Sequence, residues 1–244
     1  MITCNILGVN IAVTNINDIV KYIENNLKEL EGKYICVSNV HTTVTAYEDE
    51  EYRNIQNCAA IVLPDGGPLS SICRKRGFID AERVTGPDLM GEIFRISEEK
   101  GYTHYFYGST DETLCALKEK LSQKYPKLKI LGVYSPPFNK QVILESNNKI
   151  DEINNLNPDF IWVGLGAPKQ EKWMYLHKDK ISGLMIGVGA GFDYYADNIK
   201  RAPKWMQENS LEWLYRLIQD PKHLFKRYMV TNTKFIWRAI IRRK

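Results

Sequence analysis

Two hydrophobic periods alternate along the first four-fifths of this chain, and that alternation restricts its fold more than any other feature. Short β-rich runs at 34–38, 60–63, 103–107, 128–133, 160–163 and 184–188 are separated by stretches with helical spacing. In one such stretch Asn17 stands where a helix cap belongs, ahead of Ile19, Val20, Ile23, Leu27 and Leu30. Others cover 46–52 and the residues from Asp111 through Leu121. Strands exchanged with helices in this way predict an α/β fold with a largely parallel sheet and flanking helices. Sheets of that kind bind ligands at the carboxyl ends of their strands, so the loops after these runs are where chemistry is expected.

The pattern stops near residue 197, and the charge changes with it. Residues 200–244 hold twelve lysines and arginines against three acids, a net +9, whereas everything before them sums to −5. Three of the five tryptophans, Trp205, Trp213 and Trp237, lie in this tail. Leu211, Leu214, Tyr215 and Ile218 form one helical stripe, and Leu224, Phe225, Tyr228 and Met229 form another. Asp220-Pro221 between them is a helix stop followed by a cap and a first-turn proline. The expected organisation is a core of 1–197 and a basic, aromatic-rich helical appendage of 198–244, with the core able to fold without the appendage. Cations interleaved with aromatics suit an anionic membrane face or a lipid diphosphate, and also nucleic acid; the plain alternative is a solvated helical pair.

Several function classes are excluded or made remote. No apolar run approaches the roughly 20 residues of a bilayer span, and the N-terminus lacks the pattern of a signal peptide. The five scattered cysteines contain no C-x-x-C pair and read as reduced thiols. The expected location is therefore cytoplasmic, with any membrane contact peripheral. There is no P-loop, no G-x-S-x-G and no Asp-x-Asp, and the four histidines lack metal-ligand spacing. Neither a metal nor another cofactor is expected, so protein cations and helix ends would have to stabilise any bound diphosphate.

Four strand-end loops carry the candidate residues. Ser38-Asn39-Val40-His41-Thr42-Thr43 offers polar side chains, although helix capping accounts for the same residue types. Leu63-Pro64-Asp65-Gly66-Gly67 bends sharply and leaves Asp65 at the mouth of the sheet; turn aspartates are more often structural than catalytic. In the third, Gly164 and Gly166 permit close backbone approach, and Pro168 opens a helix whose amides, with Lys169 and Gln170, suit a phosphate. The fourth, Gly187-Val188-Gly189-Ala190-Gly191-Phe192-Asp193, has G-x-G-x-G spacing with no clear helix following. That makes it a poor dinucleotide fingerprint and puts a nicotinamide oxidoreductase well behind other readings.

Taken with their order, the segments LPDGGPLS from Leu63, ERVTGPDLM from Glu82, VGLGAPKQEKW from Val163, GVGAGFDYYA from Gly187, KRAPKWMQ from Lys200 and LEWLYRLIQDPKHLFKRY from Leu211 resemble the WecG/TagA/CpsF family of bacterial glycosyltransferases. The resemblance covers nearly the whole chain. It implies a Rossmann-like core whose active site is completed at the membrane by a C-terminal appendage, and an inverting, metal-independent reaction. The donor implied is a UDP-activated N-acetylmannosamine, or its uronic acid or another N-acetylhexosamine. The acceptor implied is GlcNAc on undecaprenyl diphosphate, at the inner face of the plasma membrane, in teichoic acid or related polymer synthesis. Family members tend to dimers, so a homodimer is expected and nucleic acid is not.

By the same resemblance Asp65 matches the general base. With a reference pKa of about 3.9 an aspartate is ionised at neutral pH and ready to accept the acceptor's proton. Asn39, Thr42 (or Thr43), Arg83 and Gln170 fall in matching motifs as groups orienting sugar and diphosphate. Gly66, Gly164, Gly166, Lys169, Gly189 and Arg201 would line the substrate, Asp193 would hold the nucleoside, and Phe138 would stack on the base. Arg216 and Arg227 match arginines that reach the diphosphate. Where further family arginines stand, this chain has Lys222, His223 and Lys226, which keep charge but not bidentate geometry. The reading from another class is a non-catalytic membrane- or RNA-binding protein built on the basic tail, which leaves Asp65 and Gln170 without a purpose.

Overall fold

A computed structural model describes residues 1–137 and 146–241. Phe138 lies outside the described residues. The chain opens with an antiparallel hairpin, β1 (Thr3–Ile6) and β2 (Val9–Ala12), then α1 (Ile16–Asn25), α2 (Leu27–Leu30) and β3 (Tyr34–Ser38). Helices α3 (Val40–Glu48) and α4 (Glu50–Asn57) lead to β4 (Ile61–Pro64), α5 (Gly67–Lys75), α6 (Gly86–Lys100) and β5 (Thr103–Gly108). Next come α7 (Asp111–Lys124), β6 (Lys129–Tyr134), α8 (Asn147–Leu156), β7 (Phe160–Gly164), α9 (Lys169–His177), β8 (Leu184–Gly187) and α10 (Gly191–Tyr195). The tail supplies α11 (Lys204–Glu208), α12 (Glu212–Gln219), α13 (Pro221–Phe235) and a π-helical turn, Ile236–Ile241.

The six strands expected from the alternation form one parallel sheet in the order β4-β3-β8-β7-β5-β6. Its central strands are apolar on both faces because helices cover both, which is why they read as continuous runs and not as polar–apolar alternation. Tyr34, Cys36, Ile161, Val163 and Met185 meet the helices on one face; Ile35, Phe106, Phe160, Trp162 and Ile186 meet those on the other. The N-terminal hairpin was not legible as strands. Its turn places Leu7 at φ 51 beside Gly8, and leucine carries no turn signal.

Local corrections follow from capping. Asn15, not Asn17, caps α1, accepting from the Asp18 amide. The stretch expected as one helix at 46–52 is two, broken at Asp49, whose side chain caps α4 by accepting from the Tyr52 amide. A short helix does open after Gly189, at Gly191, though its five residues fall short of a full helical pattern.

The tail is helical as expected, with Asp220 capping α13 and Pro221 in its first turn. Its two apolar stripes behave differently from ordinary amphipathic faces. No residue of α12 is fully buried, and Ile218 is 68% and Phe225 58% exposed. The residues that do seat against the core are Leu224, Thr231, Phe235 and Ala239, with α13 lying along α3. Lys234 and Arg238 add a shared ion pair to Glu48 on α3.

Candidate active site

The loops after β3, β4, β7 and β8 all open at the carboxyl edge of the sheet, and they divide into two groups. Asp65 follows β4, the outer strand at one end. Gly66 behind it has φ +98, a conformation that only glycine adopts without strain, and it turns the chain straight into α5. The Asp65 amide donates to the Ser38 carbonyl at 2.7 Å, which fixes the loop against β3.

The Asp65 carboxyl is half-buried, and burial is the main reason its pKa is pushed up to about 6. The Glu212 carboxylate beside it raises it further; Arg83, a hydrogen bond from the Asn39 amide and Arg216 pull the other way. An ordinary solvated aspartate would be a weak base. This one ionises close to neutral pH, where proton affinity and availability are better matched.

Asn39 holds its place by two means. Its Oδ1 accepts from the His41 and Thr42 amides, and Thr42 Oγ1 closes a capping box by accepting from the Asn39 amide at 2.8 Å. Thr43 Oγ1 donates to the Asn39 carbonyl at 2.8 Å. The threonine hydroxyls are therefore taken up by capping, as the alternative sequence reading allowed, while the Asn39 side-chain N–H points to Asp65. Thr42 and Thr43 are buried, and their hydroxyls shape the loop around Asn39.

Arg83 and Arg201 lie at the contact between core and tail. Arg83 pairs with Glu212 on α12 at 2.6 Å and stands 3.6 Å from Asp88; Arg201 pairs with Asp88 at 2.9 Å and approaches Glu212 at 3.4 Å. Gln207 accepts from both arginines. The ring of alternating charges closes the tail over the Asp65 loop. Tyr194, in α10, has Arg201 and Arg216 stacked over its ring at 5.5 and 5.7 Å. Arg216 is thereby brought within electrostatic reach of Asp65. Arg227 faces His41 at the start of α3, where its charge, after burial, holds the imidazole below its usual pKa.

The second group of loops lies over β7 and β8. Gly164 leaves room for the Phe192 ring, which a Cβ there would meet at 2.6 Å, so its role is packing. Gly166 is open to solvent space, and Lys169 begins α9 immediately after it. Gln170 is buried. Its Oε1 accepts from the Gly189 amide at 3.0 Å and its Nε2 donates to Glu171 at 2.8 Å, which ties the β7 loop to the β8 loop. Asp193 accepts from the Asn198 side chain at 3.1 Å and so orders the turn leading into the tail.

We expect Gln170→Ala to lower the melting temperature and to weaken UDP binding, because the Gly189 amide would lose a buried partner worth about 1–3 kcal/mol. Differential scanning fluorimetry with UDP calorimetry checks both. Unchanged UDP affinity would make Gln170 a structural tie alone.

Sequence reasoning assembled Asp65, Asn39, Arg83 and the tail arginines but missed Glu212, Asp88 and Tyr194. The Arg83–Glu212 pair spans 129 residues, and no local pattern reports a contact at that separation. Among the described residues no three His, Cys, Asp or Glu side chains converge as a cation site. No helix among them is long and apolar enough to cross a membrane.

With this geometry in place, the comparisons with known proteins are specific. A model of the glycosyl transferase WecG/TagA/CpsF family matches residues 4–244. The chain is 30% identical over 210 residues, 85% of its length and 80% of the relative's, to N-acetylglucosaminyldiphosphoundecaprenol N-acetyl-beta-D-mannosaminyltransferase of Bacillus subtilis (strain 168). A protein of the same description from Staphylococcus aureus (strain MW2) is 27% identical over 223 residues, 90% of this chain and 86% of that one. One from Bacillus spizizenii is 26% identical over 211 residues, 86% and 79% of the two chains.

Proposed function

Because this chain belongs to the WecG/TagA/CpsF family of glycosyl transferases, we propose that it moves N-acetylmannosamine from UDP to GlcNAc carried on undecaprenyl diphosphate. The relatives' descriptions supply the sugar and the acceptor. The observation that carries the reading in this molecule is Asp65: a partly desolvated carboxylate at a strand-end loop, flanked by Arg83 and Arg216.

In the proposed step an acceptor hydroxyl attacks the anomeric carbon from the face opposite the UDP. A carbon–oxygen bond forms to the acceptor, the bond from the anomeric carbon to the diphosphate oxygen breaks, and the hydroxyl proton passes to Asp65. One displacement inverts the anomeric centre. The diphosphate gathers charge as it leaves. In this reading Lys169 and the start of α9, with Arg216 and Arg227 carried over from the family resemblance, supply the fixed positive charge that stabilises it. Asn39 keeps the Asp65 carboxylate aimed, and Gln170 holds the two glycine loops in register. The tail's exposed Trp205, Phe225, Met229 and Trp237, among lysines and arginines, suit peripheral attachment to the inner, anionic leaflet. A homodimer rests on the resemblance alone, and sedimentation of the purified chain decides it.

Mass spectrometry of the product formed from a panel of UDP-sugars and a short-chain lipid-diphosphate-linked GlcNAc tests the reading. UDP-N-acetylmannosamine should be the preferred donor; preference for the uronic acid or for another N-acetylhexosamine would replace the sugar and keep the reaction. Calorimetry with UDP, NADH and RNA in parallel separates this reading from an oxidoreductase and from an RNA-binding protein.

Excess EDTA should leave the transfer rate unchanged, since protein cations and helix amides are assigned the diphosphate. Loss of activity in EDTA with recovery on adding Mg²⁺ or Mn²⁺ would move that role to a metal.

A further inference from the structure

A groove of about 330 Å³ begins at Gly67, two residues beyond Asp65, with α5 and the Glu82-Arg83 segment on one wall and α11 with its following turn on the other. We infer that this groove is the acceptor-sugar subsite, an inference that rests on the glycosyl-transfer reading above.

The base must touch the acceptor hydroxyl, and the donor's diphosphate belongs over β7 and β8, on the inner side of Asp65. The acceptor therefore enters from the outer side, where β4 ends the sheet and α5 starts two residues after Asp65.

Glu82 and Glu208 face the groove from opposite walls, and neither is drawn into an ion pair or side-chain hydrogen bond among the described residues, unlike Glu212 and Asp88 nearby. Free carboxylates accept from sugar hydroxyls, and the bonds are strong because the acceptor is charged. Lys204 lines the same groove and supplies a cation for the phosphate at the sugar's anomeric end; Arg74 adds positive charge there while its guanidinium is held by the Ala81 carbonyl and the Ser71 hydroxyl. That mixture of carboxylates and cations suits a neutral sugar carried on a diphosphate. The volume lies at the lower end of the range for small-ligand sites.

Gly67 lies so close to the tail that a Cβ on it would fall 1.7 Å from Ser210 Oγ. Core and tail thus build the groove jointly, and the sugar site is incomplete without residues 204–210.

The test uses the full chain, UDP, and farnesyl-diphosphate-linked GlcNAc as the acceptor probe. Glu82→Gln and Glu208→Gln should each raise the acceptor KM roughly 10-fold, the loss of one charge-assisted hydrogen bond. Glu208→Trp, an exposed position that plugs the groove without touching the core, should abolish saturable acceptor binding in calorimetry with UDP present. UDP affinity should stay within about twofold in all three. Acceptor KM and binding unchanged in Glu208→Trp would overturn the assignment, as would a wild-type protein that fails to bind the probe. Equal competition by farnesyl diphosphate without sugar, insensitive to the Gln variants, would also overturn it by showing a diphosphate site. A wild-type chain that binds the probe, loses it in Glu208→Trp, yet transfers nothing from any UDP-sugar would sink the proposed reaction and leave the groove assignment standing.

Discussion

Asp65→Asn is expected to keep the fold and UDP binding and to lose turnover by roughly 10²–10⁴-fold, the contribution of a positioned base. The amide has the carboxylate's shape, so the hydrogen bond with Asn39 can re-form by rotation. Stability at neutral pH should hold or rise slightly. An acid whose folded pKa lies above its unfolded value is stabilising only in its protonated form. That contribution is lost as pH rises through about 6, and a neutral amide does not lose it. The same shift gives a second readout. The wild-type rate should fall on the acid side with a limb near pH 6, where Asp65 takes up its proton, and the variant's residual rate should lack that limb. Near wild-type turnover in Asp65→Asn would remove the carboxylate from the mechanism and point to proton loss through the substrate itself or through water.

Deletion of residues 200–244 is expected to abolish transfer and also to destabilise what remains. The second half of that outcome departs from the charge-based expectation of a self-sufficient core. Phe235, 2% exposed, sits in the same apolar cluster as Tyr34 and Val44, and truncation uncovers its seat on the core. Removing one buried phenylalanine costs about 3–5 kcal/mol in comparable settings. Glu48 would lose both of its cations, and Arg83 and Asp88 would lose Glu212 and Arg201. Thermal unfolding of the truncated chain, with transfer measured on a soluble short-chain acceptor, separates the two effects. A truncated core with full activity on that acceptor would reduce the tail to a membrane anchor. Arg216→Ala refines the result: it should cost turnover and spare vesicle binding, because Arg216 is stacked on Tyr194 beside Asp65 and does not lie on the outer face.

The sequence alone determined the parallel sheet, the strand-end loops and the family. Each of these is written locally. A fully buried strand is a short apolar run, a sharp turn needs its Gly or Pro, and the six linked motifs identify the family wherever they occur in order. Helix caps were nearly legible too, misplaced by two residues at Asn15 because several neighbouring residues compete for one cap.

What only the tertiary structure decided involves separation along the chain or access to water. The Arg83–Glu212 and Arg201–Asp88 pairs join segments more than a hundred residues apart, and a charge count treats those residues as free. The apolar stripes of α12 and α13 were correctly periodic, but periodicity says that a helix has an apolar face and not whether anything covers it. Here Leu224 is covered while Ile218 and Phe225 are not. Gln170 read as a ligand group, and its bond from the Gly189 amide, set by how α9 docks beside β8, was not legible. Asp65 shows the division most clearly. Its place at the mouth of the sheet follows from Pro64-Asp65-Gly66-Gly67, whereas its proton affinity comes from desolvation and from Glu212 in a helix 147 positions later. Burial and distant charge are properties of the assembled molecule, and together they raise the proton affinity of this carboxyl.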